Sequence, residues 1–360
     1  MNFIWGLIAF VVMLSVIVVI HEYGHYLAAR AFGVHVHEFS LGMGPLLWKK
    51  QGKQTQWSLR AIPFGGYCMM AGETSQSAEE EEEDKPDWQK DLRPDELLNN
   101  KKPWQQIIVL LAGVAMNFLL ASLIYVGISL SQGVMPVAQA EVGDVIAGTP
   151  AERAGLQAGD KLTKVTDGRH NQVIEDQYDL TEFINLYPGT VTLTVDRDGQ
   201  MLEVEITPEM NEEAQVYQLG IHTPVTYVQV PWYKSVQLGF ENMWDTVVLM
   251  FRSLGQLFTG SGYENLSGPI GILDVTAQQV QLGWLPYLNL IALVSLNVGI
   301  FNLLPIPALD GGRVLLVVLE KLLGRKINPK IVENILMASF VLLFGLMIYA
   351  SFNDIMRMIG

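Results

Sequence analysis

Cysteine is nearly absent from this chain of 360 residues: Cys68 stands alone. That excludes an internal disulfide and a thiolate metal cage, so any metal would have to be held by imidazole and carboxylate. Charge is scarce as well. Only 17% of the residues are charged while 50% are apolar, and a soluble domain usually carries about 25% charged residues. Basic residues are in the minority, 23 against 37 acidic for a net charge of −14, which argues against a nucleic-acid partner. What the chain has instead is long uncharged runs.

The first run, 3–20, is free of charge and long enough for a membrane helix if it continues a turn or two. A cleaved signal peptide is the competing reading, disfavoured by the missing basic start and small-residue cleavage site. Further uncharged runs cover 107–130, 275–309 and 334–353. The run at 275–309 is too long for one span and holds Pro286, Pro305 and Pro307, which places its helix at about 285–304. Four spans result. Lys49, Lys50, Lys53, Arg60, Lys101 and Lys102 after span one, and Arg313, Lys321, Arg325, Lys326 and Lys330 after span three, put both connections in the cytoplasm. The segment between spans two and three then lies outside, together with both termini.

Between the spans, alternation over about 54–70, broken at Pro63 and Gly65–Gly66, predicts a membrane-associated β-hairpin. Residues 79–84 form an acidic run of linker character. A short helix is expected around 94–99. From 142 onward, a helix start at Pro150, a Gly159–Asp160 turn and a hairpin at Asp198–Gly199 predict a small α/β module. The phrase AERAGLQAGDKL (151–162) resembles PDZ domains of bacterial proteases. Beyond the module, Val236, Phe240, Met243, Val247, Met250 and Leu254 make an apolar stripe at helical spacing, suited to a membrane surface or to packing on the module.

The chemistry concentrates in two places. His21-Glu22-Tyr23-Gly24-His25 is an HExxH; on a helix both imidazoles share one face, one turn apart, as metal ligation needs, and Glu22 stands near as a proton acceptor. Ionisable groups at a membrane helix are costly enough that function is the default reading. A catalytic zinc usually takes three protein ligands. His35 and His37 follow the Gly33 break and alternate like strand residues, which favours a carboxylate. Asp310, after the proline-broken stretch NLLPIPALDGG, fits that need, since irregular backbone at membrane depth is tolerated where it lines a cavity. Its bland alternative is an N-cap for a helix over 313–323.

These motifs together, with FGGYCMMAGE (64–73), LAGVAMNF (111–118) and LSGPIGI (266–272), resemble the site-2 protease family of intramembrane zinc metalloproteases, in its RseP/RasP-like bacterial type with a single PDZ domain. The resemblance covers nearly the whole chain. It implies Zn2+ held by His21, His25 and Asp310, with Glu22 as catalytic base; Asn297 and Asn302 match asparagines that hold substrate. Val114 stands where a Pro is frequent and Met69 where a basic residue is frequent, neither of them in the zinc ligand set.

The expected architecture is an α-helical membrane protein with four transmembrane helices, a membrane-associated β-hairpin and an inserted extracytoplasmic α/β PDZ-like domain. Its parts are span one with HExxH (1–32), a cytoplasmic loop (33–103), span two (104–131), the PDZ-like domain (132–223), an amphipathic helix and linker (224–284), span three (285–309), the LDG motif with a cytoplasmic helix (310–331), and span four with the C-terminus (332–360). The function implied is hydrolysis within transmembrane helices of single-pass proteins in the bacterial cell membrane. Such substrates are of anti-sigma-factor type, already cut by a site-1 protease, or remnant signal peptides. Leu59, Ile62 and Phe64 are candidates for an unpaired hairpin edge that binds the unwound substrate, and a plug is the alternative role of the hairpin. A non-catalytic PDZ-containing membrane scaffold is the rival reading, and it leaves HEYGH and Asp310 unexplained. The basic loops predict that a cysteine introduced at Gly168 reacts with an impermeant reagent from outside intact cells, and one at Ser77 only after permeabilisation. The reverse pattern would invert the topology.

Overall fold

Among the described residues, four helices have the length and apolar character to cross a membrane: Ile4–Ala31, Pro103–Gln132, Trp284–Asn302 and Lys330–Arg357. The shortest has 19 residues, and at about 1.5 Å per residue it just matches a hydrocarbon core of about 30 Å. The computed structural model describes residues 2–73, 88, 91–211, 216–258 and 268–359. The acidic run at 79–84, Ser77, and Leu266 and Ser267 of the LSGPIGI motif lie outside the described residues. The chain divides into two compact units, one of 1–131 with 236–360 and one of 132–235.

In the first unit, α1 (Asn2–Ala31) is followed by β1 (Val36–Gln51) and β2 (Gln56–Met70), then by two short 3₁₀ helices at Pro94–Glu96 and Leu98–Asn100, where a short helix is expected. Span two is α2 (Pro103–Gln132). The long uncharged run near span three is divided at Gly283, whose φ of 128° suits glycine, and its N-terminal part belongs to a helix of its own. Phe10, Met13 and Ile17 of α1 bury against Leu290, Ile291 and Val294 of the Trp284–Asn302 helix. Pro305 and Pro307 then forbid further helix until Asp310.

The hairpin is larger than the alternation at 54–70 suggested. β2 does not pair within itself but with β1, and β1 folds back at Gly42 and Gly44, whose φ values are 82° and 81°. As a result Phe39 pairs with both Cys68 and Trp57, and Trp57 also pairs with Lys50. Leu59 has partners on both sides, Leu41 and Trp48, while Ile62 pairs with Met43. The expected free edge at Leu59 is therefore filled; the outer segments of this curled sheet are 66–70 and 46–51. A buried polar network pins it: Ser58 Oγ and Arg60 Nη2 donate to Glu38 Oε1 at 2.5 and 2.9 Å, and Arg60 Nη1 donates to the Gly44 carbonyl at 2.9 Å.

The second unit opens with β3 (Val134–Ala138), which pairs antiparallel with the last strand, Val225–Gln229, so the chain enters and leaves it side by side; β4 (Asp144–Val145) follows β3. Its core sheet runs β6 (Asn171–Val173), β5 (Lys161–Thr166), β7 (Val191–Arg197), β8 (Gln200–Ile206). Alternation puts Val191, Leu193 and Val195 inside, against Leu180 and Phe183 of a helix at Gln177–Leu186. That helix starts where Asp176 accepts from the amides of Tyr178 and Asp179.

Returning to the first unit, the helix Trp232–Phe258 carries the apolar stripe expected of an amphipathic element. Met243, Val247, Met250 and Leu254 on it pack with Ala121 and Tyr125 of α2 and with Leu296 and Ile300 of span three. Spans two and three cover that stretch of the stripe; Gly239, set against the Val126 backbone, lets the helices approach closely.

Asp160, in the turn before β5, is fully buried and takes both Nε and Nη2 of Arg197 at 2.6 and 2.7 Å. The guanidinium, helped by the Gln157 amide, holds the Asp160 carboxyl below the usual carboxylate range. A depressed folded value means that this stability is present above about pH 4, the unfolded value, and is lost as pH falls through the folded one. Arg197→Met should therefore reduce hydrogen-exchange protection of the β5–β8 sheet at neutral pH, with the difference from wild type shrinking in acid. A difference independent of pH would refute the ionic origin.

Candidate metal centre

His21 and His25 lie in the C-terminal half of α1, 7% and 5% exposed. Their burial depends on the neighbouring span. Gly24 packs against the Ala112 carbonyl, and a Cβ at Gly113 would collide with both imidazoles, lying 2.8 Å from His21 Cε1. The His25 Nδ1–H donates to the Val109 carbonyl at 2.8 Å, which leaves the Nε2 lone pair free. For His21 the corresponding neighbour is the Asn117 amide, 3.3 Å from Nδ1. Asn117 Oδ1 is buried without a hydrogen-bond partner. Orienting the amide so that Oδ1 accepts from Nδ1–H satisfies both groups and frees Nε2 on His21 as well.

The third group comes from the other end of the chain. A helix begins at Asp310 (Asp310–Leu323), with Leu309 at its N-cap and no side-chain cap bond, so the carboxylate is not spent on capping a helix that starts at Arg313. Gly311 and Gly312 lie against the backbone of Leu304 and Pro307, where a Cβ would come within 2.7 and 2.5 Å. This glycine pair lets the Pro305–Pro307 loop fold onto the helix start and present Asp310. Its Oδ2 is 3.1 Å from His21 Nε2 and 3.4 Å from His25 Nε2, and the two Nε2 atoms are 3.2 Å apart. Tetrahedral ligands about 2.0–2.1 Å from zinc stand about 3.3 Å from one another. Asp310 Oδ2 is buried and accepts no hydrogen bond of good geometry. The donor set therefore fits a metal ion, and among the described residues it is the one such group of His, Cys, Asp and Glu side chains.

A cavity of about 480 Å³ opens beside these ligands and is lined also by Glu22, Asn302, Arg313, Glu73 and the stretch Tyr67–Met70. Asn297 is exposed on span three and does not line the cavity, nor do Leu59 and Ile62. Phe64 is placed in β2 by its backbone. His35 and His37 stack with Trp88, away from the ligand cluster. Sequence reasoning missed Asn117, although an amide within a membrane span is itself a signal. It also gave no role to Gly113, Glu73 or Arg313.

Two imidazoles and a carboxylate converging on one point, with a glutamate in the adjoining cavity, define a metallohydrolase centre, here set in a bundle of span-length helices. A profile of Peptidase family M50 matches residues 9–346, and the chain belongs to that family of metalloproteases. It is 31% identical over 356 residues to a protein of Clostridium acetobutylicum named as a zinc metalloprotease, covering 98% of this chain and 97% of the relative. A similarly named protein of Clostridium perfringens is 32% identical over 359 residues, covering 99% and 98%. The zinc metalloprotease RasP of Oceanobacillus iheyensis is 31% identical over 431 residues, covering 98% and 99%.

The role of Asn117 is testable. Asn117→Leu should weaken zinc affinity by about 10- to 100-fold, the usual effect of losing a ligand's hydrogen-bond partner. Asn117→Asp, which keeps an acceptor toward Nδ1, should retain most of it in a chelator competition. Equal affinity in the leucine variant would remove the assignment.

Proposed function

We propose that this chain is an intramembrane zinc protease of site-2 protease type that hydrolyses peptide bonds within the transmembrane helices of other proteins. The observation that carries this reading is the ligand cluster itself: His21, His25 and Asp310 meet at a point reached from span one and from the turn after span three, beside a polar cavity. When bound, zinc supplies Lewis acidity, polarising the scissile carbonyl and lowering the pKa of water. Glu22 takes a proton from the attacking water and delivers it to the leaving nitrogen. Asn302, which lines the cavity where Asn297 does not, donates from its amide to the developing oxyanion. An intact substrate helix hides its backbone groups, so it must unwind before hydrolysis, and its stranded amides need partners. The outer segment Tyr67–Met70 lies along the cavity and offers them main-chain hydrogen bonds.

The module over 132–235 carries AERAGLQAGDKL, and we read it as the single PDZ-like domain, on the extracytoplasmic side, with the metal centre toward the cytoplasm. Between spans two and three, seven Lys and Arg are spread over 131–284, against the clustered basic residues of the other two connections, and this supports the orientation. Substrates are then single-pass proteins already shortened by another protease, or remnant signal peptides. A membrane scaffold would have no use for three buried ligand atoms without a donor between them.

Glu22→Gln should lower cleavage of a model membrane helix about 100-fold or more while keeping stoichiometric zinc. Asp310→Asn should lose both zinc and cleavage, since a neutral amide oxygen is a poor ligand. Chelation should silence the wild type. Full turnover in Asp310→Asn with zinc retained would move the third ligand elsewhere, and turnover insensitive to chelation would refute the metal mechanism.

A further inference from the structure

Three carboxylates line the cavity, those of Glu22, Glu73 and Asp310, against one permanent cation, Arg313. Arg313 lies in the first turn of the Asp310–Leu323 helix, and its Nη1 donates to Glu73 Oε1. Glu73 Oε2 in turn accepts the Met70 N–H at 3.4 Å, at the end of the segment that lines the cavity. Among the described residues this is the one ion pair made by the guanidinium, which leaves Nε and Nη2 as open donors. Burial opposes the charge on Arg313, but the carboxylates of Glu73, Asp310 and Glu22 outweigh it and hold the guanidinium protonated.

Peptide hydrolysis makes a new anion here. The water oxygen bonds to the carbonyl carbon, the C–N bond breaks with its electron pair going to nitrogen, and both water protons end on nitrogen. The products are a carboxylate and an ammonium. With Asp310 ligating the metal, the new carboxylate still arises beside Glu22 and Glu73, and like charges sharing a site repel unless a cation stands between them. A guanidinium is suited to the task, because its planar fork meets a carboxylate through two parallel N–H bonds.

We propose that Arg313 forms a carboxylate subsite: Nε and Nη2, the donors that its pair with Glu73 leaves open, hold the newly formed C-terminal carboxylate of the N-terminal product. This rests on the proteolytic reading above. Glu73, on Nη1, stands beside the subsite as a competing anion.

The test uses fluorescent peptides matching the N-terminal product of a cleaved model helix, ending in either a carboxylate or a carboxamide. They are titrated by anisotropy against the full chain in detergent, with zinc content matched across variants. Wild type should prefer the acid. Arg313→Met should cut the acid-to-amide affinity ratio by about tenfold or more, the worth of a charge-assisted pair. Arg313→Lys should keep part of the preference, and Glu73→Gln, which releases the guanidinium, should increase it. An unchanged ratio in Arg313→Met overturns the subsite. So does a fall in Glu73→Gln as large as in Arg313→Met, which would make the pair a strut. If wild type fails to cleave the parent helix, the proteolytic reading falls instead, whatever the ratio.

Discussion

The close approach of spans one and two is the constraint on which the centre depends. Two imidazoles on a membrane helix are tolerable only if every polar atom has a partner, and an orphaned buried group costs about 1–3 kcal/mol. Span two supplies those partners from its backbone at Val109 and its side chain at Asn117. It comes near enough to do so only because Gly24 and Gly113 carry no side chain where the helices meet. Once the Nδ1 sides are occupied, both Nε2 lone pairs have one direction left, toward Asp310.

Asp310 is delivered by a different device. Prolines at 305 and 307 end the third span, and the Gly311–Gly312 pair lets the irregular backbone fold tightly against the next helix start. The carboxylate thus sits at a helix N-terminus, where the macrodipole favours negative charge while leaving its oxygens free to ligate. Span one carries the imidazoles, and the far end of the same unit carries their third companion. The pairing of Arg313 with Glu73 ties this helix start to the residues just after β2, so the cavity is lined by a pair 240 positions apart in the chain.

The curled sheet of β1 and β2 adds a polar network to the apolar cluster that holds Phe39, Cys68 and Met70. Ser58 and Arg60 both donate to Glu38, and the segment Glu38–Leu41 is paired on both sides. Its outer stretch at 66–70 is thereby fixed in place next to the cavity beside the metal ligands.

Much of this was legible in the residues alone. Span lengths follow from uncharged runs, because hydrocarbon imposes one length scale, and HExxH follows from the 3.6-residue helical repeat, which puts both rings on one face. Asp310 stood out as an acid after a proline-broken span, and the Pro150 and Asp198–Gly199 signals marked the α/β module through local backbone preferences. What sequence could not supply were relations between distant segments. Alternation at 54–70 shows a strand but not its partner, since period-two patterning carries no register. Nor does helical spacing say which surface an apolar stripe will meet, and the Trp232–Phe258 helix met span two. Asn297 and Asn302 looked equivalent along the chain; only the packing of span three leaves one exposed and sets the other at the metal cavity. Local order is written in short-range sterics and hydropathy. The tautomers of His21 and His25 and the charge set around Arg313 belong to contacts that exist only once the helices pack.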